Sequence, residues 1–166
     1  MKLRIEKISK KYLKSAHKIY NYYITNSYSN FEENELTFKE FYNNYENIIS
    51  KKLPYLVALY DKKLVGIAYL NNFREKSGYR FAFENTIYIH CDHIKQGIGS
   101  KLLKELINIS KKNRNIKLIV AVISSIDSKG SIKIHRKLGF KKSGIIKKIG
   151  FKNNKWIDSI FLQKNV

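Results

Sequence analysis

Residues 87–107, IYIHCDHIKQGIGSKLLKELI, place two possible chemistries side by side. His90, Cys91, Asp92 and His93 are four metal-ligating side chains in a row, and Gly97 and Gly99 then open an apolar-periodic segment, as phosphate-cradling loops do. The metal reading meets a geometric obstacle. If residues 87–91 continue a strand, His90 and Cys91 point to opposite faces and cannot share an ion. Only a sharp turn could gather His90, Asp92 and His93, and the other histidines, His17 and His135, are isolated in the sequence. A zinc site takes four convergent ligands, or three and a water. No metal is expected, and Cys91 reads as a small, partly buried hydrophobe.

The glycines carry more. KQGIGS has neither the four-residue spacing nor the Gly-Lys-Ser/Thr ending of a P-loop, and Leu102 stands where a dinucleotide fingerprint has its third glycine. What remains is strand, basic turn, glycine pair, amphipathic helix. Backbone without Cβ lets an anion come close, and the free N–H groups of a helix start carry partial positive charge. A second candidate lies upstream. Glu84 interrupts the apolar strand FAFENTIYI, three residues before Ile87. A carboxylate there is either a paired structural acid or a functional base.

The elements that must position these groups follow from periodicity. LRIEKI alternates as a half-buried strand, and Ser9 can cap a helix running to about Asn26. Thr37 and Glu40 form a capping box before a second helix. YLVALYDKKLVGIAYL reads as a hairpin turning at Asp61 to Lys63, and YRFAFENTIYIH as one long strand. A helix from about Gly97 to Lys112 carries Ile98, Leu102, Leu103, Leu106 and Ile107 on one stripe. Strand KLIVAVI, short helix SIKIHRKL and strands around GIIKKIGF and KWIDSIFLQ complete a mixed α/β order. No linker or repeat interrupts residues 1–166, so one domain is expected.

Composition limits the function classes. Hydrophobic residues at 43% suit a folded globular chain. One cysteine excludes an internal disulfide, and with no signal-like or membrane-length apolar run the expected location is the cytoplasm. The charge is the outlier, with 33 Lys+Arg against 13 Asp+Glu and a net +20. Such a potential attracts polyanions. Arginine is scarce, however, and diffuse lysine reads as solvated surface rather than a nucleic-acid face.

The segment IYIHCDHIKQGIGSKLL, followed by a strand and SIKIHRKLGF, resembles the acetyl-CoA signature of the GCN5-related N-acetyltransferases (GNAT). YRFAFENTIYI, AVISSIDSKGSIKIHRKLGF, GFKNNKWIDSIFLQ and IYNYYITNSYSNF narrow the resemblance to the phosphinothricin and methionine-sulfoximine acetyltransferase branch. The resemblance implies a single-domain GNAT fold, α/β (α+β), with a mixed sheet of about seven strands and about four helices. It departs at Ile94, where the motif has Gln or Arg, and at Ser128, where a cofactor-holding asparagine is usual. Asp127 is the alternative alignment.

The resemblance also assigns roles. Acetyl-CoA would lie along the backbone of Ile87, Tyr88 and Ile89, with its pyrophosphate on Lys95, Gln96, Gly97, Ile98, Gly99 and Ser100, and with Ser128 nearby. Glu84 would be the general base and His135 the candidate acid. Phe31, Arg74, Ser77, Gly78, Tyr79 and Arg80 would wall the acceptor, the arginines meeting a carboxylate or phosphinate. The implied reaction acetylates the amino group of a small amino acid or glutamate analogue. A protein N-terminal acetyltransferase and a basic nucleic-acid-binding module are the alternatives. A homodimer is the expected assembly.

Overall fold

The computed structural model describes residues 2–126 and 128–166, so the alternative alignment on Asp127 lies outside the described residues. A seven-stranded sheet runs in the order β1-β2-β3-β4-β5-β7-β6. Its strands are β1 (Leu3–Lys7), β2 (Tyr55–Tyr60), β3 (Lys63–Asn72), β4 (Ala82–Ile89), β5 (Leu118–Ser124), β6 (Lys141–Lys152) and β7 (Lys155–Asn165). Four helices accompany it: α1 (Leu13–Asn26), α2 (Phe38–Ser50), α3 (Ile98–Lys111) and α4 (Lys129–Lys137). The expected strand and helix order holds throughout.

Local chemistry explains most boundaries. Asp61 and Lys62 both take positive φ, 44° and 70°, the paired left-handed geometry whose twist suits a two-residue hairpin between β2 and β3. At α2 the Thr37 hydroxyl accepts from the Glu40 N–H at 3.3 Å, while the Thr37 N–H donates to Glu40 Oε2 at 2.7 Å. Ser9 behaves differently from expectation. Its hydroxyl caps nothing, because the chain first makes a 3-10 turn at Lys10–Tyr12, and the Tyr12 N–H is satisfied by the Ser9 carbonyl. The stripe of α3 is buried as its spacing requires, with Leu102, Leu103 and Leu106 wholly enclosed.

Side-chain alternation on β4 assigns the two layers. Tyr88 meets Tyr20 and Tyr23 of α1, whereas Ile87 and Ile89 approach Gly99 of α3 and stand near Ile134 of α4. Helix α1 therefore covers one face, and α3 with α4 the other. Strands β4 and β5 are the sheet's one parallel pair, and they remain paired only from Ala82↔Leu118 to Glu84↔Val120. Beyond Glu84 they diverge, and β4 keeps β3 as its partner to Gly66↔Ile89. That gap in the sheet is where the site forms.

Candidate active site

A cavity of about 480 Å³ opens where β4 and β5 part. Glu84 and His135 line it, as do Ile87, Tyr88, Ile89, Lys95, Gly97, Ile98, Gly99, Ser100 and Ser128. Residues expected to act together from positions scattered between 84 and 135 thus share one wall. Gln96 does not. Its side chain turns away to donate to the Asp92 carbonyl at 3.3 Å.

The strand edge facing the gap is narrower than the sequence suggested. His90 N–H donates to the Val65 carbonyl at 2.8 Å, so by antiparallel alternation Tyr88 spends its backbone groups on β3 and Ile87 and Ile89 turn theirs to the gap. Tyr23 already covers the second of these, its hydroxyl donating to the Ile89 carbonyl at 2.8 Å. Ile87 is left as the open rung. Tyr23 was not legible as a site residue, since its contact lies 66 positions away.

At the other end, Lys95 and Gly97 take φ of 62° and 77°, folding the loop so that α3 begins at Ile98. The first intrahelical bond at this end is Lys101 N–H to the Gly97 carbonyl, at 3.2 Å. The N–H groups of Ile98, Gly99 and Ser100 have no acceptor within the helix, and their residues line the cavity. A Cβ at Gly97 would meet nothing within 4 Å, so an anion can reach this backbone unobstructed.

Glu84 projects toward the α1 face, and burial pushes its pKa up to about 7. Tyr20, Tyr69 and Tyr88 surround it closely enough for its charge to act on them. Burial is the main reason that their hydroxyls stay protonated, and the Glu84 charge adds a smaller push in the same direction. No ion pair to Glu84 exists among the described residues. A carboxylate that is half proton-loaded near neutrality and unpaired is suited to taking a proton.

His135 does not have the geometry of an acid. Its Nδ1 lies 2.8 Å from the Ser131 carbonyl, which can only accept, and its Nε2 lies 3.0 Å from Asn85 Nδ2. Burial lowers its pKa and keeps the ring neutral. With the proton on Nδ1 and the Nε2 lone pair engaged, neither nitrogen has a proton to give into the cavity. The expectation of a catalytic acid at His135 is corrected accordingly.

The residues expected to wall the acceptor lie outside this cavity. Ser77–Tyr79 form an exposed 3-10 turn, so neither they nor the arginines line the cavity. Arg80 stacks on Phe81 at 4.4 Å, and Arg74 lies over Phe73 at 5.6 Å. Phe31, also outside the cavity, packs on Gly150, where any Cβ would overlap its ring. Lys152, unremarked in the sequence, is buried and donates to the carbonyls of Ser27 at 3.1 Å and Asn30 at 2.6 Å, fixing the loop that carries Phe31.

The His90 cluster also differs from expectation. β4 ends at Ile89, and a 3-10 turn at Cys91–His93 folds the ligand atoms of His90, Cys91 and Asp92 to within 4.8 Å of one another. The strand argument against their convergence does not apply. Their contacts are explained among themselves: Cys91 Sγ donates to Asp92 Oδ1 at 3.6 Å, and His90 Nδ1 accepts from the Asp92 N–H at 3.4 Å.

Comparison with known proteins now decides the family. The acetyltransferase (GNAT) domain matches residues 5–161. This chain belongs to the GNAT acetyltransferases. It is 34% identical over 146 residues to a phosphinothricin N-acetyltransferase of Alcaligenes faecalis, covering 88% of this chain and 74% of that one. It is 29% identical over 110 residues to an L-methionine sulfoximine/L-methionine sulfone acetyltransferase of Salmonella typhimurium, covering 66% and 63%. The crystal structure of a phosphinothricin acetyltransferase from Sinorhizobium meliloti, in complex with acetyl-CoA, superposes with a TM-score of 0.93 at 31% identity, covering 100% of this chain and 89% of that one. As a GNAT acetyltransferase the chain is an enzyme, and none of its described helices is long and apolar enough to cross a membrane.

Proposed function

We propose that this acetyltransferase moves an acetyl group from acetyl-CoA to the α-amine of a small amino acid of the glutamate-analogue kind, such as phosphinothricin or methionine sulfoximine. The observation that carries the reading is the unpaired Glu84 carboxylate, raised to about pKa 7, at the vertex of a gap whose far end is a glycine-lined helix start. Two relatives with 34% and 29% identity act on such amino acids by name.

The residues fit the coenzyme. The free backbone rung of Ile87 suits an extended, amide-bearing arm, which can add beside β4 as a further strand does. The N–H groups of Ile98, Gly99 and Ser100 suit a diphosphate, and the open space at Gly97 admits it. Ile94, exposed, offers no charge there, so the grip falls to main chain.

Glu84 takes the ammonium proton of the acceptor. The neutral amine would then add to the thioester carbonyl, the C–S bond would break, and the departing thiolate would take up the proton that the new amide nitrogen sheds. An α-amine near pKa 8 is only about one-tenth neutral at pH 7, so a positioned base contributes roughly 10²–10⁴-fold. The buried tyrosines on the same face keep water away from that carboxylate and hold it at a useful pKa. The loop pinned by Lys152 places Phe31 on the acceptor side.

We further propose a homodimer in the cytoplasm. Ile145, Ile146, Ile149, Phe151 and Trp156 are large apolar side chains left exposed on β6 and β7, and Trp156 is 62% exposed. A second copy of the chain would cover it. The single thiol, Cys91, suits a reducing compartment.

The test is release of CoA thiol from acetyl-CoA in the presence of phosphinothricin, methionine sulfoximine, methionine sulfone, unmodified amino acids, an alanine-terminated peptide and polyamines. Turnover with the first three supports the reading. Turnover confined to the peptide or polyamines overturns the substrate class.

A further inference from the structure

Asn85 sits at the first position past the last β4–β5 rung, lines the cavity, and is 8% exposed. Its Nδ2 reaches His135, but its Oδ1 is buried with no hydrogen-bond partner among the described residues. Native proteins rarely leave such an acceptor unmet. The amide's orientation is not arbitrary, because each group in a short chain dictates the next. The Ser131 carbonyl can only accept, so the neutral His135 ring carries its proton on Nδ1. Nε2 is then a bare lone pair, and it requires a donor. Asn85 must therefore present its NH₂ to the ring, which leaves its oxygen without a partner on a residue that lines the cavity.

The occupant follows from the chemistry of an acceptor. Phosphate oxygens are acceptors as well, so the diphosphate end is excluded, and that end belongs to the start of α3, where Gly99 lies beside Ile87 and Ile89 of β4. The amine is excluded by side: Asn85 and Glu84 are consecutive strand residues and project to opposite faces. What remains is an N–H donor on the thioester-bearing arm, close to its reactive end. We infer that Asn85 is a coenzyme-binding residue whose amide oxygen, oriented by His135, accepts a hydrogen bond from the pantetheine amide N–H nearest the thioester. This rests on the acetyl-CoA reading above. His135 is then a positioning residue that acts through Asn85.

The experiment compares three thioesters in steady-state kinetics: acetyl-CoA, S-acetyl-N-acetylcysteamine, which keeps only the nearest amide, and the N-methylated form of the latter. Asn85→Leu should raise KM for acetyl-CoA roughly tenfold with little change in kcat, as expected for one lost hydrogen bond. The same penalty should persist with S-acetyl-N-acetylcysteamine and vanish with the N-methylated thioester. His135→Phe should raise KM less, and adding it to Asn85→Leu should bring no further loss, since the two act as one unit. On the wild-type enzyme, the N-methylated thioester should bind about tenfold more weakly than its parent, a measurement that does not depend on any variant folding. Equal binding of those two thioesters overturns the inference, as does an unchanged KM in Asn85→Leu. If acetyl-CoA gives wild-type protein no protection against thermal unfolding, it is the coenzyme reading itself that falls.

Discussion

Glu84 and Val120 are the last residues across which β4 and β5 remain paired, so the proposed base stands at the vertex of the gap. That placement has a kinetic consequence. Glu84→Gln should lower kcat by about 10²–10⁴-fold at saturating acetyl-CoA while leaving its KM nearly unchanged. In the wild type, kcat/KM should climb with pH up to about 7, where the buried carboxylate loses its proton, and this limb should be missing from the variant. A variant with the wild-type pH profile would remove Glu84 from the mechanism.

The same pKa makes a stability prediction of opposite sign. Burial raises Glu84 from 4.5 to about 7, so the folded state holds a proton that the unfolded chain has released. Between these values the native state binds more protons, and stability falls as pH rises, reaching its low plateau above about pH 7. The shift corresponds to at most about 3 kcal/mol. Glu84→Gln should therefore melt higher than wild type at pH 8, and the two should converge near pH 4. Thermal unfolding across that range checks it.

The two glycines should separate under substitution. Gly97 has φ of 77° and open space around a built Cβ, so Gly97→Ala meets strain alone, about 1 kcal/mol, and intrudes on the approach of an anion. Gly99 lies within the helix, and a Cβ there makes ordinary contact with Ile134 at 3.5 Å. Gly99→Ala should leave stability level or raise it by up to about 1 kcal/mol. Melting curves with and without acetyl-CoA should show lost protection in Gly97→Ala and retained protection in Gly99→Ala.

What the sequence disclosed divides along the range of each interaction. The α3 stripe, the Thr37 capping box and the hairpin at Asp61 rest on neighbours within a few residues, and periodicity or turn chemistry reveals them. Glu84 was visible because a lone carboxylate in an apolar strand is conspicuous. Asn85, adjacent to it, was equally polar but acquires meaning only through His135, 50 positions on. The role of His135 depended on which nitrogen carries the proton, and a carbonyl at Ser131 decides that. Arg74 and Arg80 were read as a wall because charge is legible, whereas the exposure of the loop around the 3-10 turn at Ser77–Tyr79 is not. Tyr23 and Lys152 act over 66 and more than 120 positions, beyond any local pattern.

The exposed apolar side chains of β6 and β7 give a prediction about the proposed dimer. Trp156 and Phe151 pair at 5.0 Å on a surface otherwise rich in lysine. Replacing Trp156 by lysine adds like charge to the centre of any self-contact, and should shift the enzyme from dimer to monomer in sedimentation. The fold should be unaffected, because the side chain is mostly in water. A wild-type protein that sediments as a monomer at micromolar concentration removes the dimer.

Lys152 supplies the remaining prediction. Its ammonium is enclosed, burial lowers its pKa, and two of its protons go to the carbonyls of Ser27 and Asn30. Removing the donor leaves those carbonyls unmet beneath the loop, a loss of roughly 1–3 kcal/mol. Methionine fills the same volume without donating, so Lys152→Met isolates the hydrogen bonds from the packing. Because that loop carries Phe31 and not the glycine turn, the variant should raise KM for the amino-acid acceptor several-fold and leave KM for acetyl-CoA within a factor of two. Equal losses for both substrates would mean that Lys152 supports the fold as a whole rather than the acceptor side.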